Sequence, residues 1–188
     1  MGPSPPPETS RRRSEVLVVA RQTLLDQGAD GFVMRRIADR AGMKLGNLQY
    51  YFATRDDLLE AILRAEHVAD FGLISAETEV DTVIEALVGR FAGPTPSVYS
   101  LVGALAAHNR QLMTAWAEVH EQIYGLVSGL IQRFDSSVTP SQARIRSILV
   151  MALIEGSPTQ VYRSTGATSA EAMMTQVAAA ARAVAKSA

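Results

Sequence analysis

Residues 37–52 read Ile-Ala-Asp-Arg-Ala-Gly-Met-Lys-Leu-Gly-Asn-Leu-Gln-Tyr-Tyr-Phe. The pattern predicts two short helices, Arg35 to Ala41 and Leu45 to Tyr51, on either side of Gly42. A turn that tight needs a residue that accepts positive φ, and glycine does so at least cost. Ile37, Ala38, Ala41, Leu48 and Phe52 supply a small apolar core between the two helices. Lys44, Asn47, Gln49, Tyr50 and Tyr51 are left outside it. Side-chain amides read base edges, while lysine and tyrosine hydroxyls hold phosphates. Arg35 and Arg36 are consecutive and point apart. Arg35 is the one expected to reach a nucleic acid, with Arg36 solvated.

Upstream, residues 1–9 are Pro-rich and polar and read as a disordered tail. Val16, Ala20, Thr23 and Leu24 mark one face of a first helix, stopped by Gly28. Downstream, Thr54 caps a fourth helix, with Asp57 completing a capping box. Val80, Ile84, Leu87, Val88 and Phe91 form the stripe of a fifth, ended by Gly93-Pro94. Thr95 and Pro96 open a stretch to Phe134 that divides into two helices near His108 or Asn109. Thr139, Pro140 and Gln142 open the next helix, which runs to about Arg163 and is expected to kink at Pro158. Thr168 and Glu171 are read as the capping box of an Ala-rich last helix. The fold class is therefore all-α, with about nine helices. A three-helix helix-turn-helix head over residues 10–55 is fused to a helical body over residues 56–188.

Charge separates head from body. Ser10 to Arg55 carries nine Lys/Arg against four Asp/Glu; from Asp56 onward there are nine against fourteen. A basic head on an acidic body points to a polyanionic partner for the head. There are no cysteines, which excludes disulfides, thiolate metal sites and cysteine nucleophiles and accords with a cytoplasmic protein. The longest apolar stretch, Ile148 to Ile154, is far short of the roughly 18 residues that a membrane span needs. The P-loop, the dinucleotide fingerprint, the GxSxG elbow and the paired Glu-x-x-His of di-iron bundles are absent from the sequence. No catalytic residue, metal site or cofactor is expected.

From Arg12 to Leu59 the chain resembles the DNA-binding domain of the TetR family of transcriptional regulators. The resemblance rests on Gly28, Ile37-Ala38, Ala41-Gly42, Gly46, Leu48, Tyr51-Phe52 and Asp57-Leu58-Leu59. Val33 and Met34 stand where the family usually has a threonine before the Ile-Ala pair, and Gln49 replaces a commonly aromatic residue. The resemblance implies that the second helix of the motif enters the major groove, and that a cation opening the fourth helix holds a phosphate. Arg55 occupies that position. The DNA-contacting set is then Arg35, Lys44, Leu45, Gly46, Asn47, Gln49, Tyr50, Tyr51 and Arg55.

It also implies a homodimer built from the last two helices, here Ile145, Ile148, Leu149, Ala152 and Gly156 with Met173, Val177, Ala181 and Val184. A small-molecule effector of unknown identity is placed among the helices between Val80 and Arg163. Phe91, His108, Asn109, Trp116, His120, Tyr124 and Glu155 are its candidate lining. The expected function is a repressor of double-stranded operator DNA, released by that effector. Activation instead of repression, and a helical dimer that binds a protein partner instead, remain as alternatives.

Overall fold

Val16, Ala20 and Leu24 recur every four residues and are fully buried in the computed structural model, so the first helix is driven by one apolar stripe. The structure describes residues 8–71, 78–91, 97–163 and 169–187. Among them are nine helices and no strand: α1 (Glu8–Gly31), α2 (Met34–Arg40), α3 (Leu45–Tyr51), α4 (Arg55–Phe71), α5 (Val80–Phe91), α6 (Val98–Ala106), α7 (Arg110–Phe134), α8 (Pro140–Arg163) and α9 (Ala170–Ala185). The break expected near His108 and Asn109 lies between α6 and α7. Gly93, Pro94, Thr95 and Pro96 lie outside the described residues.

The chain divides into two compact units. The first comprises the described part of Met1–Ala69 together with Val98–Trp116; the second comprises the rest of the chain, Asp70–Ser97 and Ala117–Ala188. In the first, Phe32, Ile37, Leu48, Leu58, Leu59, Ile62 and Leu63 are almost wholly buried, with Val102, Leu112 and Ala115 from α6 and α7. Arg21 pairs with Glu66 between α1 and α4. The Trp116 ring fills the space over Gly103, where an added Cβ would stand 2.9 Å from it.

In the second unit α9 lies against α8 and α5. Met174, Val177, Ala178, Ala181 and Ala185 are its inward face. Arg182 and Lys186 add ion pairs to Glu85 and Asp81 of α5 at 2.5 and 2.6 Å.

The predicted caps at Thr54/Asp57 and Thr139/Gln142 form as reciprocal boxes. Asp57 N–H donates to Thr54 Oγ1 at 3.1 Å and Thr54 N–H to Asp57 Oδ2 at 2.9 Å. Gln142 N–H donates to Thr139 Oγ1 at 3.3 Å and Thr139 N–H to Gln142 Oε1 at 2.9 Å. The last cap differs from expectation. Ser169, not Thr168, is the N-cap of α9, and its Oγ accepts from Ala172 N–H at 3.0 Å. The cap and its partner are one residue out of phase with Thr168 and Glu171, and Thr168 lies outside the described residues.

Pro158 sits inside α8 without ending it. A proline there leaves the Ile154 carbonyl without its usual amide donor. The Ser157 hydroxyl takes the vacant place, donating to Ile154 O at 2.8 Å in a buried position. Ser157→Ala should therefore destabilise the fold by about 1–3 kcal/mol, the cost of a buried acceptor left unpaired. Chemical denaturation checks this, and an unchanged midpoint would assign the serine no such role. Gly103→Ala should also destabilise, by about 1–3 kcal/mol, because the new methyl overpacks against the indole. Trp116 fluorescence reports the change directly.

Candidate nucleic-acid interface

Gly28 ends the regular part of α1 with φ 64° and ψ −165°. The chain then runs through Phe32 into α2, and Gly42 turns it into α3 with φ 63°. Ile37, Ala38, Leu48 and Phe52 are the buried contacts that hold α2 against α3, and Ala41 is half-buried beside them. Leu48 is the only residue of α3 that is fully buried. The remainder of that helix is therefore free to face outward, and Leu45, Gly46, Asn47, Gln49 and Tyr50 are exposed, Tyr50 by 78%. Tyr51 is half-buried and meets Tyr50 edge-on at 5.4 Å between ring centres.

In front of α3 lies an open concavity of about 520 Å³ lined by Arg12, Gly42, Met43, Lys44, Asn47, Tyr50 and Tyr51. The structure thus brings together four of the predicted contacts: Lys44, Asn47, Tyr50 and Tyr51. Arg35, Leu45, Gly46 and Gln49 are exposed outside it. Arg12 and Met43 are additions that residue spacing along one helix does not reveal. The signal for Arg12 was the basic run Arg11 to Arg13; only the folding of α1 beside α3 selects one member of it.

Most cations of the head are already engaged. Arg11 and Arg12 pair with Glu8 and Glu15 at 2.8 Å, and Arg40 pairs with Asp26 at 3.0 Å. Arg13 lies over the Phe52 ring at 4.7 Å. Arg36, expected to be solvated, donates to Gln27 Oε1 at 2.6 Å while staying exposed. The Arg35 and Lys44 side chains are exposed and make no ion pair or hydrogen bond among the described residues. Arg55 donates from Nε to Phe32 O and from Nη2 to Ala29 O, both at 3.0 Å. Two of its five N–H groups thus hold the joint between α1 and α2, and three remain.

The predicted effector lining is dispersed. His120 Nε2 meets Glu155 Oε1 at 2.8 Å, and Tyr124 stacks edge-on against His120 at 5.9 Å. Burial first, then the Glu155 and Glu121 carboxylates, push the Tyr124 phenol up from its ordinary range. Those three residues form one cluster between α7 and α8. Phe91 is buried in the core of the second unit, and His108 is exposed on the first. Asn109 caps α7, its Oδ1 accepting from Leu112 N–H at 3.1 Å. Trp116 is committed to Gly103 and to Tyr99.

On α8, Ile145, Ile148, Leu149, Ala152 and Gly156 are all exposed, an apolar stripe with a helical repeat. On α9, Met173 and Val184 are half-buried. Val177 and Ala181 are interior residues of the second unit, because the inward stripe of α9 runs through them.

The architecture is that of an all-helical protein carrying an N-terminal helix-turn-helix. Residues 16–62 match the family model for bacterial regulatory proteins of the tetR family. Over these residues, from within α1 to within α4, the chain is similar to the N-terminal domain of that family. It is 34% identical over 64 residues to the HTH-type transcriptional repressor KstR2 of Mycolicibacterium smegmatis, a match covering 34% of this chain and 31% of that protein. It therefore spans about a third of that relative's length. A TetR transcription regulator from Haloarcula marismortui superposes with a TM-score of 0.76 at 18% identity, covering 94% of this chain and 97% of that one. A protein from Saccharomonospora viridis in complex with choline superposes at 0.69 with 19% identity, covering 89% of this chain and 94% of that one.

An added Cβ at Gly42 meets nothing within 4 Å, so any substitution there is opposed by the backbone alone. Gly42→Ala should cost about 1–2 kcal/mol and Gly42→Asn less, since asparagine tolerates the left-handed region. Thermal unfolding of the two variants checks the order.

Proposed function

We propose that this chain is a sequence-specific, DNA-binding transcriptional repressor that acts as a homodimer and is released from its operator by a small molecule. One observation carries the reading. The exposed part of α3 presents Asn47 and Tyr50 beside the unpaired cation Lys44, around a concavity that Arg12 also lines, with Gln49 exposed outside it. Amides arrayed on an exposed short helix suit base edges in a major groove. Asn47 and Gln49 specify bases in this reading. Lys44, Tyr50, Tyr51, Arg35 and the remaining N–H groups of Arg55 hold phosphates, and Leu45 and Gly46 lie against the DNA backbone.

One head buries little DNA and reads half a palindrome, so the activity needs two copies. The exposed stripe on α8 supports pairing there, with Met173 and Val184 of α9 alongside. The His120, Tyr124 and Glu155 cluster is the polar end of the effector site. The ligand is largely apolar, with one group that hydrogen-bonds to that cluster. The choline complex of the Saccharomonospora neighbour supports a small-molecule ligand in this fold. Effector and DNA are linked: a ligand that favours the DNA-incompatible state weakens operator binding by the same factor that DNA weakens ligand binding. For coupling of about 1–3 kcal/mol, operator affinity falls roughly 5- to 150-fold.

Operators selected from a random duplex library by the full chain supply the test. Gln49→Ala should weaken the selected operator by about 1–3 kcal/mol and relax preference at one or two positions. Lys44→Ala should weaken operator and random duplex alike and reduce the salt slope by about one. Absence of any retention on DNA at low salt overturns the reading. Leu149→Glu should give monomers by sedimentation and abolish tight operator binding; a monomer with wild-type affinity contradicts the dimer.

A further inference from the structure

We propose that Asn109 and Gln111, at the start of α7 and remote in sequence from the head, are positioning residues for the recognition helix α3. The proposal rests on the DNA-binding reading above. Its starting point is the first turn of α4, which is tied in two directions. Arg55 reaches back to the carbonyls of Ala29 and Phe32, at the joint that leads into α2. The next two residues are tied to α7. Asn109 Nδ2 donates to Asp56 Oδ2 at 2.7 Å. Gln111 Nε2 donates to Asp57 Oδ1 at 2.9 Å and to Glu60 Oε2 at 3.1 Å.

The chemistry of this clasp is specific. Asp56, Asp57 and Glu60 place three carboxylates in little more than one turn, where like charges repel. The Gln111 amide has two N–H groups, and each meets a different carboxylate. The Asn109 side chain is held at its other end, because its Oδ1 caps α7 through Leu112 N–H. The Asn109 amide is therefore held at both ends, and the exposed Gln111 amide is held by its two carboxylates. Asp57 is also the partner of Thr54 in the cap of α4. The Gln111 and Thr54 donors together hold its carboxyl below the usual carboxylate range. Arg64 is the cation that meets Glu60, at 2.9 Å.

Arg55, Asp56 and Asp57 are consecutive, so the α1–α2 joint and the start of α7 bear on one turn of helix. Loosening the α7 side frees that turn to rotate, and Arg55 carries the rotation to α2 and α3. Two heads must match successive grooves to read a palindrome, whereas binding to random duplex needs only charge. The clasp thus contributes to specificity and not to electrostatic affinity.

The experiment uses the full chain, an operator selected by the wild type and a random duplex of equal length. Gln111→Ala removes both donors, and Gln111→Glu turns a carboxylate against Asp57 and Glu60. Asn109→Ser keeps an oxygen to cap α7 but loses the bond to Asp56. Gln111→Lys restores a donor. The first three should lower operator affinity by about 2- to 30-fold, with Gln111→Glu at the high end. Affinity for random duplex and the salt slope should stay at wild-type values, and Gln111→Lys should recover operator affinity. Equal loss on both duplexes, or wild-type operator affinity in Gln111→Ala and Asn109→Ser, overturns the positioning role. Should Gln111→Glu fail to fold by Trp116 fluorescence, the alanine and serine variants decide. A wild-type chain that binds no duplex at low salt overturns the DNA-binding reading, and this proposal with it.

Discussion

The joint after Gly28 is the constraint on which the head depends. A left-handed glycine ends the regular part of α1, and a helix that breaks leaves carbonyls without their usual partners. Two carbonyls of the segment that follows, Ala29 O and Phe32 O, are taken by a single guanidinium from α4. The same Arg55 lies over the Phe32 ring at 5.8 Å, and Phe32 is nearly fully buried. The angle at which α2 leaves α1 is thereby set by α4, a helix that follows the helix-turn-helix in the chain. The motif is not a self-contained hairpin of helices but one face of a unit that includes α4, α6 and the start of α7.

Charge in that unit is unevenly matched. Most cations of the unit meet carboxylates on α1 or α4, amide or carbonyl oxygens, or aromatic rings. Arg35, Lys44 and Arg110 are exposed and their side chains make no ion pair or hydrogen bond among the described residues. An unpaired surface cation costs little in water and becomes valuable when phosphates release their counterions. Arg12 is intermediate: it lines the concavity while paired to Glu15.

The second unit follows a different economy. Its interior is largely apolar; the buried His120, Ser147 and Ser157 side chains are hydrogen-bonded, whereas Asp81 Oδ1 is buried without a partner among the described residues. Ser157 supplies the donor that Pro158 lacks, which lets α8 continue past a proline. Ahead of that proline, Ile145, Ile148, Leu149, Ala152 and Gly156 form one exposed stripe. α9 turns its own stripe inward against α8 and α5. The exposed apolar surface is therefore richer on α8 than on α9.

By itself the sequence determined the helical class, the helix-turn-helix, two of the three capping boxes and the basic head. All of these are short-range properties. Periodicity, a glycine at a turn, or a threonine three residues before a carboxylate expresses itself within one or two turns of chain. Periodicity also reads Val177 and Ala181 as apolar, but it does not say which apolar face meets its own core and which is left bare. That depends on which helices arrive as neighbours. Likewise, nothing near Arg55 in the chain announces the carbonyls of Ala29 and Phe32, 26 and 23 residues away. Nothing near Asn109 announces Asp56, 53 residues distant. A side chain's partner across such separations is chosen by the packing of helices, and only the tertiary structure made those choices.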